Sequence, residues 1–324
     1  MRLKQPALFL APMAGITDLP FRLICQESGA TATYSEMISA ASLFYNSQKT
    51  NKSFSLMSTC SKEKNFIIQL FGSNPQHFEH ATQLIEKLPN KKNFGEADKA
   101  ILAQPDGIDI NFGCPVKKVF KQKAGCALMK EMVLARKIIQ AVTDNTKLPV
   151  SIKIRAGIEK ISALDFLKSI ADLPWQTVIV HGRTFSQGFV GEIDLELIKK
   201  IKILYPQKTV IANGGIFSPE KAKEVLKKTT ADGLAIGRGA LGNPFIFSQI
   251  KTFLKKNNYQ KTSEKCIQEV IKRHLNYFKK YCETKNFQEL KKHLLWYLKK
   301  NHFPKEKKLL VAQAKSWKKL LKIF

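Results

Sequence analysis

Short apolar runs recur along the chain, and amphipathic stretches separate them. The runs predict strands at Leu8–Ala11, Ala32–Tyr34, Phe66–Leu70, Gly107–Ile110, Val150–Ile154, Val178–Val180, Thr209–Ala212 and Gly233–Ile236. Brief apolar runs bounded by turn-forming residues are what strands buried on both faces look like. Between them the spacing predicts helices over Gln76–Lys87, Met132–Asp144, Ala163–Ala171 and Ser218–Lys228. The last of these opens on Ser218, Pro219 and Glu220: a cap, a first-turn proline and an acid favoured by the helix dipole. Eight strands alternating with helices predict a parallel α/β fold, although a doubly wound sheet would alternate in the same way.

The segments beyond the strand ends separate the two. They are Pro12-Met13-Ala14-Gly15, Ser35-Glu36-Met37, Phe71-Gly72-Ser73, Asn111-Phe112-Gly113-Cys114-Pro115, Arg155-Ala156-Gly157, His181-Gly182-Arg183, Asn213-Gly214-Gly215 and Gly237-Arg238-Gly239. Polar, Gly-rich chemistry stands at the carboxyl end of nearly every strand, where a (β/α)8 TIM barrel builds its active site. The amino ends carry nothing comparable.

After Phe247 the alternation stops. Ile250–Lys261 reads as a connector, Ser263 caps a helix, and the pattern stays helical to Phe324. The expected organisation is a barrel over 1–247 and a small all-helical C-terminal domain over 248–324. From Glu264 to Phe324 there are 17 basic and 5 acidic residues, a net +12 within a chain total of +28. Aromatics are interleaved with these bases. So large a positive charge favours a polyanionic partner, nucleic acid above all. Only seven of the 54 basic residues are Arg, so a general lysine surplus is the competing reading.

Six cysteines lie scattered without a C-x-x-C pair, which argues against a disulfide framework or a structural zinc site and predicts no metal. Pro6 and Pro12 break the apolar start, and no segment reaches the roughly 20 apolar residues of a membrane span. A soluble, cytoplasmic monomer with no membrane partner is expected.

The last two strand-end loops carry the clearest chemistry. Barrels commonly bind phosphate with the loops after strands seven and eight, here Asn213-Gly214-Gly215 and Gly237-Arg238-Gly239. Glycines there admit an anion to the backbone, and Arg238 can add a forked contact; tight turns are the plainer alternative. Lys153 alternates with Ile152 and Ile154, so it should point into the barrel mouth. Gln69, Asn111 and His181 end neighbouring strands, and four polar groups in one layer would be hard to satisfy without a ligand. Cys114 is either a small buried thiol or a positioned acid/base or nucleophile. Lys117, Lys118, Lys121 and Lys123 come just after it, and such cations would favour a thiolate and attract a polyanion.

Taken together, these residues resemble the tRNA-dihydrouridine synthase family, in its bacterial B-type branch. Ala-Pro-Met-Ala-Gly-Ile-Thr-Asp-Leu-Pro-Phe-Arg (11–22) and Asp-Ile-Asn-Phe-Gly-Cys-Pro-Val-Lys-Lys-Val (109–119) are similar to its signatures. Gln69, Lys153, His181-Gly182-Arg183-Thr184, Asn213-Gly214 and Gly237-Arg238 stand in the family's order, and Lys-Lys-His-Leu-Leu-Trp-Tyr-Leu (291–298) resembles its helical-domain motif. The resemblance implies that Pro12, Met13, Ala14, Gln69, Asn111, Lys153, His181, Asn213, Gly214, Gly215, Gly237 and Arg238 surround FMN. It implies that NADPH or NADH reduces the flavin, that a hydride passes to C6 of a flipped-out D-loop uridine, and that Cys114 protonates C5. Arg183, Lys117, Lys118, Lys291, Lys292, His293, Trp296 and Tyr297 are then expected on the tRNA side. Gly215 departs from the acid more usual after Asn-Gly, and Cys126 from the more usual Ser or Ala. The competing readings are a flavin barrel acting on a small dihydroorotate- or dihydropyrimidine-type substrate, and an inactive RNA-binding barrel.

Overall fold

All eight apolar runs form strands in the computed structural model, which describes residues 6–46, 52–95, 99–282 and 287–324. They are β1 (Ala7–Leu10), β2 (Ala32–Ser39), β3 (Phe66–Phe71), β4 (Gly107–Phe112), β5 (Val150–Arg155), β6 (Thr177–His181), β7 (Thr209–Asn213) and β8 (Gly233–Ile236). Every neighbouring pair is parallel, and β1 pairs with both β2 and β8, which closes the barrel. Each residue of β4 and of β8 is buried, because helices cover the outside and side chains fill the inside.

β2 runs on to Ser39, past its expected end at Tyr34. Ser35-Glu36-Met37, anticipated as a loop, belongs to the strand, and the register shifts between Tyr34 and Met37. Such an irregularity lets a strand continue while re-aiming its side chains, and here it turns Met37 toward the barrel mouth. The predicted helices form at Pro75–Glu86, Met132–Thr143, Ala163–Ser169 and Pro219–Thr229, the last capped by the Ser218 hydroxyl.

The expected connector is different. Ile246–Lys256 is a helix, and Ile246, Phe247 and Ile250 are fully buried in the barrel core. It spans the expected boundary at 247 because the apolar face continues past Phe247 with a helical period that a linker would lack. A second core begins at Ile267, where helices Glu264–Tyr281, Gln288–Lys300, Lys305–Gln313 and Trp317–Leu321 pack together. The helix Leu19–Glu27 serves both cores: Phe21 and Cys25 enter the barrel, while Leu19, Leu23 and Ile24 enter the second core.

That helix is pinned by Arg22. Its guanidinium forks onto Glu63 at 2.7 and 3.0 Å and also donates to the Thr17 and Ser58 carbonyls. The Thr33 and Thr59 hydroxyls donate to the same carboxylate. The Lys-rich stretch 88–104 contains a short turn at Lys91–Phe94 and a bridge from Ile101 to Thr59, while 96–98 lie outside the described residues.

Candidate active site

The carboxyl ends of the strands and the loops beyond them enclose a cavity of about 520 Å3. Gln69, Asn111, Lys153, His181 and Asn213 enter from β3 to β7, one per strand. Pro12, Met13 and Ala14 lie just past β1, Gly214 and Gly215 just past β7, and Gly237 and Arg238 just past β8. Each residue that the sequence nominated around a cofactor lines this one cavity. Cys114, Arg183 and Trp296 line it too.

Its charge is one-sided. Lys153, Arg155, Arg183 and Arg238 line the wall, and no Asp or Glu does among the described residues. Asp109, two positions before Asn111 on β4, is fully buried and does not line the cavity. It accepts from the Ser151 hydroxyl at 2.5 Å and the Gln69 amide at 2.7 Å. Burial nevertheless pushes its carboxyl up to about 6, against those hydrogen bonds and Lys153. Burial and the Arg155 guanidinium bring the Lys153 ammonium down to about 8. Burial, then the surrounding cations, push His181 down to about 2, so its imidazole is neutral at neutral pH. An anionic or electron-rich ligand is what such a wall accommodates.

A directional amide chain crosses the floor. Gln69 gives its N–H to Asp109, so its carbonyl oxygen accepts from Asn111 Nδ2 at 2.9 Å. The Asn111 oxygen is thereby turned to the next loop, where it accepts the Gly113 and Cys114 backbone N–H groups at 3.0 and 2.9 Å. One buried carboxylate therefore sets the orientation of two amides and, through them, the loop that carries the thiol. Gly125 presses on the same loop: with φ +61° it has no side chain, and a Cβ there would come within 2.9 Å of Cys114 Cβ.

The thiol itself corrects one expectation. Burial raises Cys114, and the Val116 N–H, Arg155 and Lys153 offset this only in part. Lys117, Lys118, Lys121 and Lys123 are exposed on or beside the helix Lys117–Lys121 and do not contribute to the balance. Cys114 thus holds a proton rather than a negative charge. Cys126 is sealed off entirely, with its thiol pushed up to about 12.

At the opposite end Gly214 has φ +111°, and a Cβ there would stand 2.8 Å from both the His181 ring and Ile193. The backbone therefore closes directly on the imidazole. Arg238 donates to the Phe189 carbonyl at 3.0 Å, and its guanidinium lies 5.1 Å from the Phe189 ring and 5.7 Å from that of Phe217.

Residues 9–322 match the family model described as Dihydrouridine synthase (Dus). The chain belongs to the dihydrouridine synthase family. It is 36% identical over 300 residues to "tRNA-dihydrouridine synthase B" of Pasteurella multocida (strain Pm70), covering 90% of this chain and 83% of that one. It is 37% identical over 297 residues to the protein of the same name from Shewanella oneidensis, covering 90% and 86%. A "Probable tRNA-dihydrouridine synthase" of Helicobacter pylori is 39% identical over 246 residues, 75% of this chain and 70% of its own. Among solved structures, 6-hydroxypseudooxynicotine amine oxidase from Pseudomonas geniculata superposes with a TM-score of 0.53. At 13% identity, over 82% of this chain and 50% of that one, it shares the fold alone.

The helical segment reaches the cavity through Trp296. Two of its nominated tRNA contacts lie elsewhere. His293 and Tyr297 are each 1% exposed and belong to the interior between barrel and helices, so they present no surface to RNA. They fall on the inward stripe of an amphipathic helix, and the motif's spacing alone does not distinguish that stripe from the outer one. Lys291 donates to the Ala312 and Ala314 carbonyls, and Lys292 to that of Gly15, so these ammonium groups are tied to the fold although they reach the surface.

Arg155, Met37 and Phe189 are among the lining residues that were not nominated. Arg155 stands at the end of β5, two positions past Lys153, and the strand-end rule that finds Lys153 also covers it. It donates to the carbonyls of Gly113, Thr184 and Gly188, tying three loops together. Met37 is hidden by the strand irregularity. Phe189 lies in an irregular loop with no periodic signal.

Proposed function

We propose that this chain reduces the C5=C6 bond of a uridine in tRNA to 5,6-dihydrouridine, with FMN held in the cavity and NADPH or NADH as reductant. The observation that carries the reading is the wall of four cations without a lining carboxylate, set above oriented amides. Those residues suit FMN. Gly214, Gly215 and Gly237 leave backbone open beside Arg238 for a phosphate, and Pro12, Met13, Met37 and Ala235 offer apolar surface to a planar ring. Gln69, Asn111 and Lys153 are the groups placed to hydrogen-bond the ring edge. When bound, FMN supplies the hydride delivered to C6 of the uracil.

The chain supplies the rest. Cys114 Sγ keeps its proton because it is buried, and gives it to C5 as the hydride arrives at C6; the thiolate left behind regains a proton from water. The negative charge developing on the uracil carbonyl oxygens faces Lys153, Arg155 and Arg183, which are fixed before the substrate enters. A base must leave its stack to reach this depth, and the aromatic rim of Phe189, Phe217 and Trp296 offers it surfaces on the way. No metal takes part in the reaction.

The barrel through Lys256 carries the chemistry and the helices from Glu264 onward hold tRNA, by charge and shape more than by base sequence. Lys117 and Lys118, exposed beside the Cys114 loop, add phosphate contacts. Among the described residues no helix is long and apolar enough to cross a membrane. The enzyme works as a monomer in the cytoplasm, where its substrate is.

A visible spectrum recorded without oxygen tests this. Flavin bands should bleach with NADPH and return on adding tRNA that lacks dihydrouridine. Bleaching with no tRNA-driven return would assign the barrel to a small-molecule substrate, and failure to bind FMN would overturn the enzyme.

A further inference from the structure

Asp18, His274 and His293 meet where the barrel joins the helical segment, and none of the three lines the catalytic cavity. Asp18 caps the helix Leu19–Glu27, His274 lies within Glu264–Tyr281, and His293 within Gln288–Lys300. They are 7%, 0% and 1% exposed. One donor atom from each lies within 4.8 Å of the other two. The two imidazoles stand 4.9 Å apart, with the Phe21 ring 4.8 Å from one and 6.0 Å from the other.

His274 carries a second, separate observation. Its Nδ1 lies 3.1 Å from the Tyr297 hydroxyl, while its Nε2 is sealed from solvent and meets no hydrogen-bond partner. A buried polar nitrogen left in this way is costly and calls for an explanation. With Nδ1–H donating to Tyr297, Nε2 bears its lone pair.

We propose that Asp18, His274 and His293 form a structural zinc site that joins the helical segment to the barrel. Two imidazole nitrogens and a carboxylate oxygen are a donor set that Zn2+ accepts, and Tyr297 orients His274 as outer partners of metal-bound histidines do. Asp18 Oδ1 accepts the Phe21 N–H at 3.0 Å, which leaves its other oxygen for the ion. Tetrahedral donors about 2.0–2.1 Å from zinc stand roughly 3.4 Å from each other, so the three side chains draw inward on binding. A second cavity of about 170 Å3 is lined in part by Asp18, and a water reaching the ion from that side would complete its fourth position. The donors come from distant segments and none is a cysteine, so no paired-cysteine signature marks them in the sequence.

The full chain is incubated with zinc chloride, desalted, and its metal content measured beside His274→Gln and Asp18→Asn. Asp18→Asn keeps a side-chain oxygen to cap Phe21, so it preserves the helix start. About one zinc should remain per wild-type chain and be lost in both variants. Zinc should raise the melting temperature of the wild type only. Cobalt, loaded in its place, should give tetrahedral bands at longer wavelength than oxidised flavin absorbs, absent in Asp18→Asn. If wild type retains no metal, the cluster is a hydrogen-bond network and the proposal fails. Zinc retained equally in the variants places the ion elsewhere and also overturns it. Should His274→Gln not fold, Asp18→Asn and the cobalt spectrum decide alone.

Discussion

Asn111 holds Cys114 through its own side chain: Oδ1 accepts the Cys114 backbone N–H at 2.9 Å while Nδ2 donates to Gln69. The direction of that amide is set from the neighbouring strand β3, because Asp109 takes the Gln69 N–H and leaves Gln69 only its oxygen for Asn111. The thiol's position therefore depends on a buried carboxylate that never reaches the cavity.

Replacing Asn111 by Ala removes the acceptor of both loop N–H groups. FMN should bind more weakly by one ring-edge hydrogen bond but remain held at its untouched phosphate end, and at saturating FMN reduction by NADPH should change far less than the second half-reaction. The tRNA-driven return of the flavin bands should slow by about 100-fold, the order of loss that misplacing a reacting group produces. Stopped-flow traces of the two half-reactions separate these effects. Equal slowing of both would deny Asn111 a particular tie to Cys114.

Cys114→Ala removes the proton donor itself. General acids contribute about 100- to 10,000-fold, so dihydrouridine formation should fall within that range while the yellow colour and tRNA affinity persist. Quantifying dihydrouridine by mass spectrometry after a fixed incubation checks it. Full product formation would remove Cys114 from the mechanism.

These assignments show where sequence reasoning reaches. The alternation of one strand places Lys153 on the cavity, and position after strands seven and eight places Gly214, Gly215, Gly237 and Arg238 there, because both depend on backbone geometry that neighbouring residues encode. The proton on Cys114 is not legible in this way. Lysines close in sequence suggest a thiolate, but burial, a property of the assembled barrel, outweighs charges that end up in solvent. His293 and Tyr297 mislead similarly, since a helix motif does not say which stripe faces inward until its neighbours are known. Met37 and Phe189 depend on a strand irregularity and an irregular loop, neither of which has a period to read.

Arg22 tests the frame rather than the chemistry. Arg22→Leu would leave Glu63, 2% exposed, buried without its partner, although two threonine hydroxyls would remain. Breaking one half of a buried pair costs about 3–5 kcal/mol, so the denaturant midpoint should fall markedly. The double variant Arg22→Leu, Glu63→Leu should recover much of the loss, because no charge is then stranded. A single variant as stable as the parent would show the ion pair to be dispensable.

Trp296 is the helical segment's contribution to the cavity, and Trp296→Ala separates the two halves of the reaction. An indole stacked on a base is worth about 1–3 kcal/mol. The concentration of tRNA needed for half-maximal flavin reoxidation should therefore rise by about 10- to 100-fold, with NADPH reduction unchanged. An unaltered tRNA dependence would leave Trp296 a packing residue.

Lys153 gives the pH dependence. Its ammonium is brought down to about 8, so in the empty cavity it is charged below that pH and neutral above it. A bound anion favours the charged form and raises this value, so binding takes up a proton once the free enzyme has lost it. Affinity for FMN should accordingly be level below pH 8 and fall as pH rises through 8, by up to about tenfold per unit. Fluorescence titration of flavin-free enzyme between pH 6.5 and 9.5 measures the slope. Lys153→Ala should bind more weakly throughout and show no such fall. The same fall in that variant would assign the proton to another group.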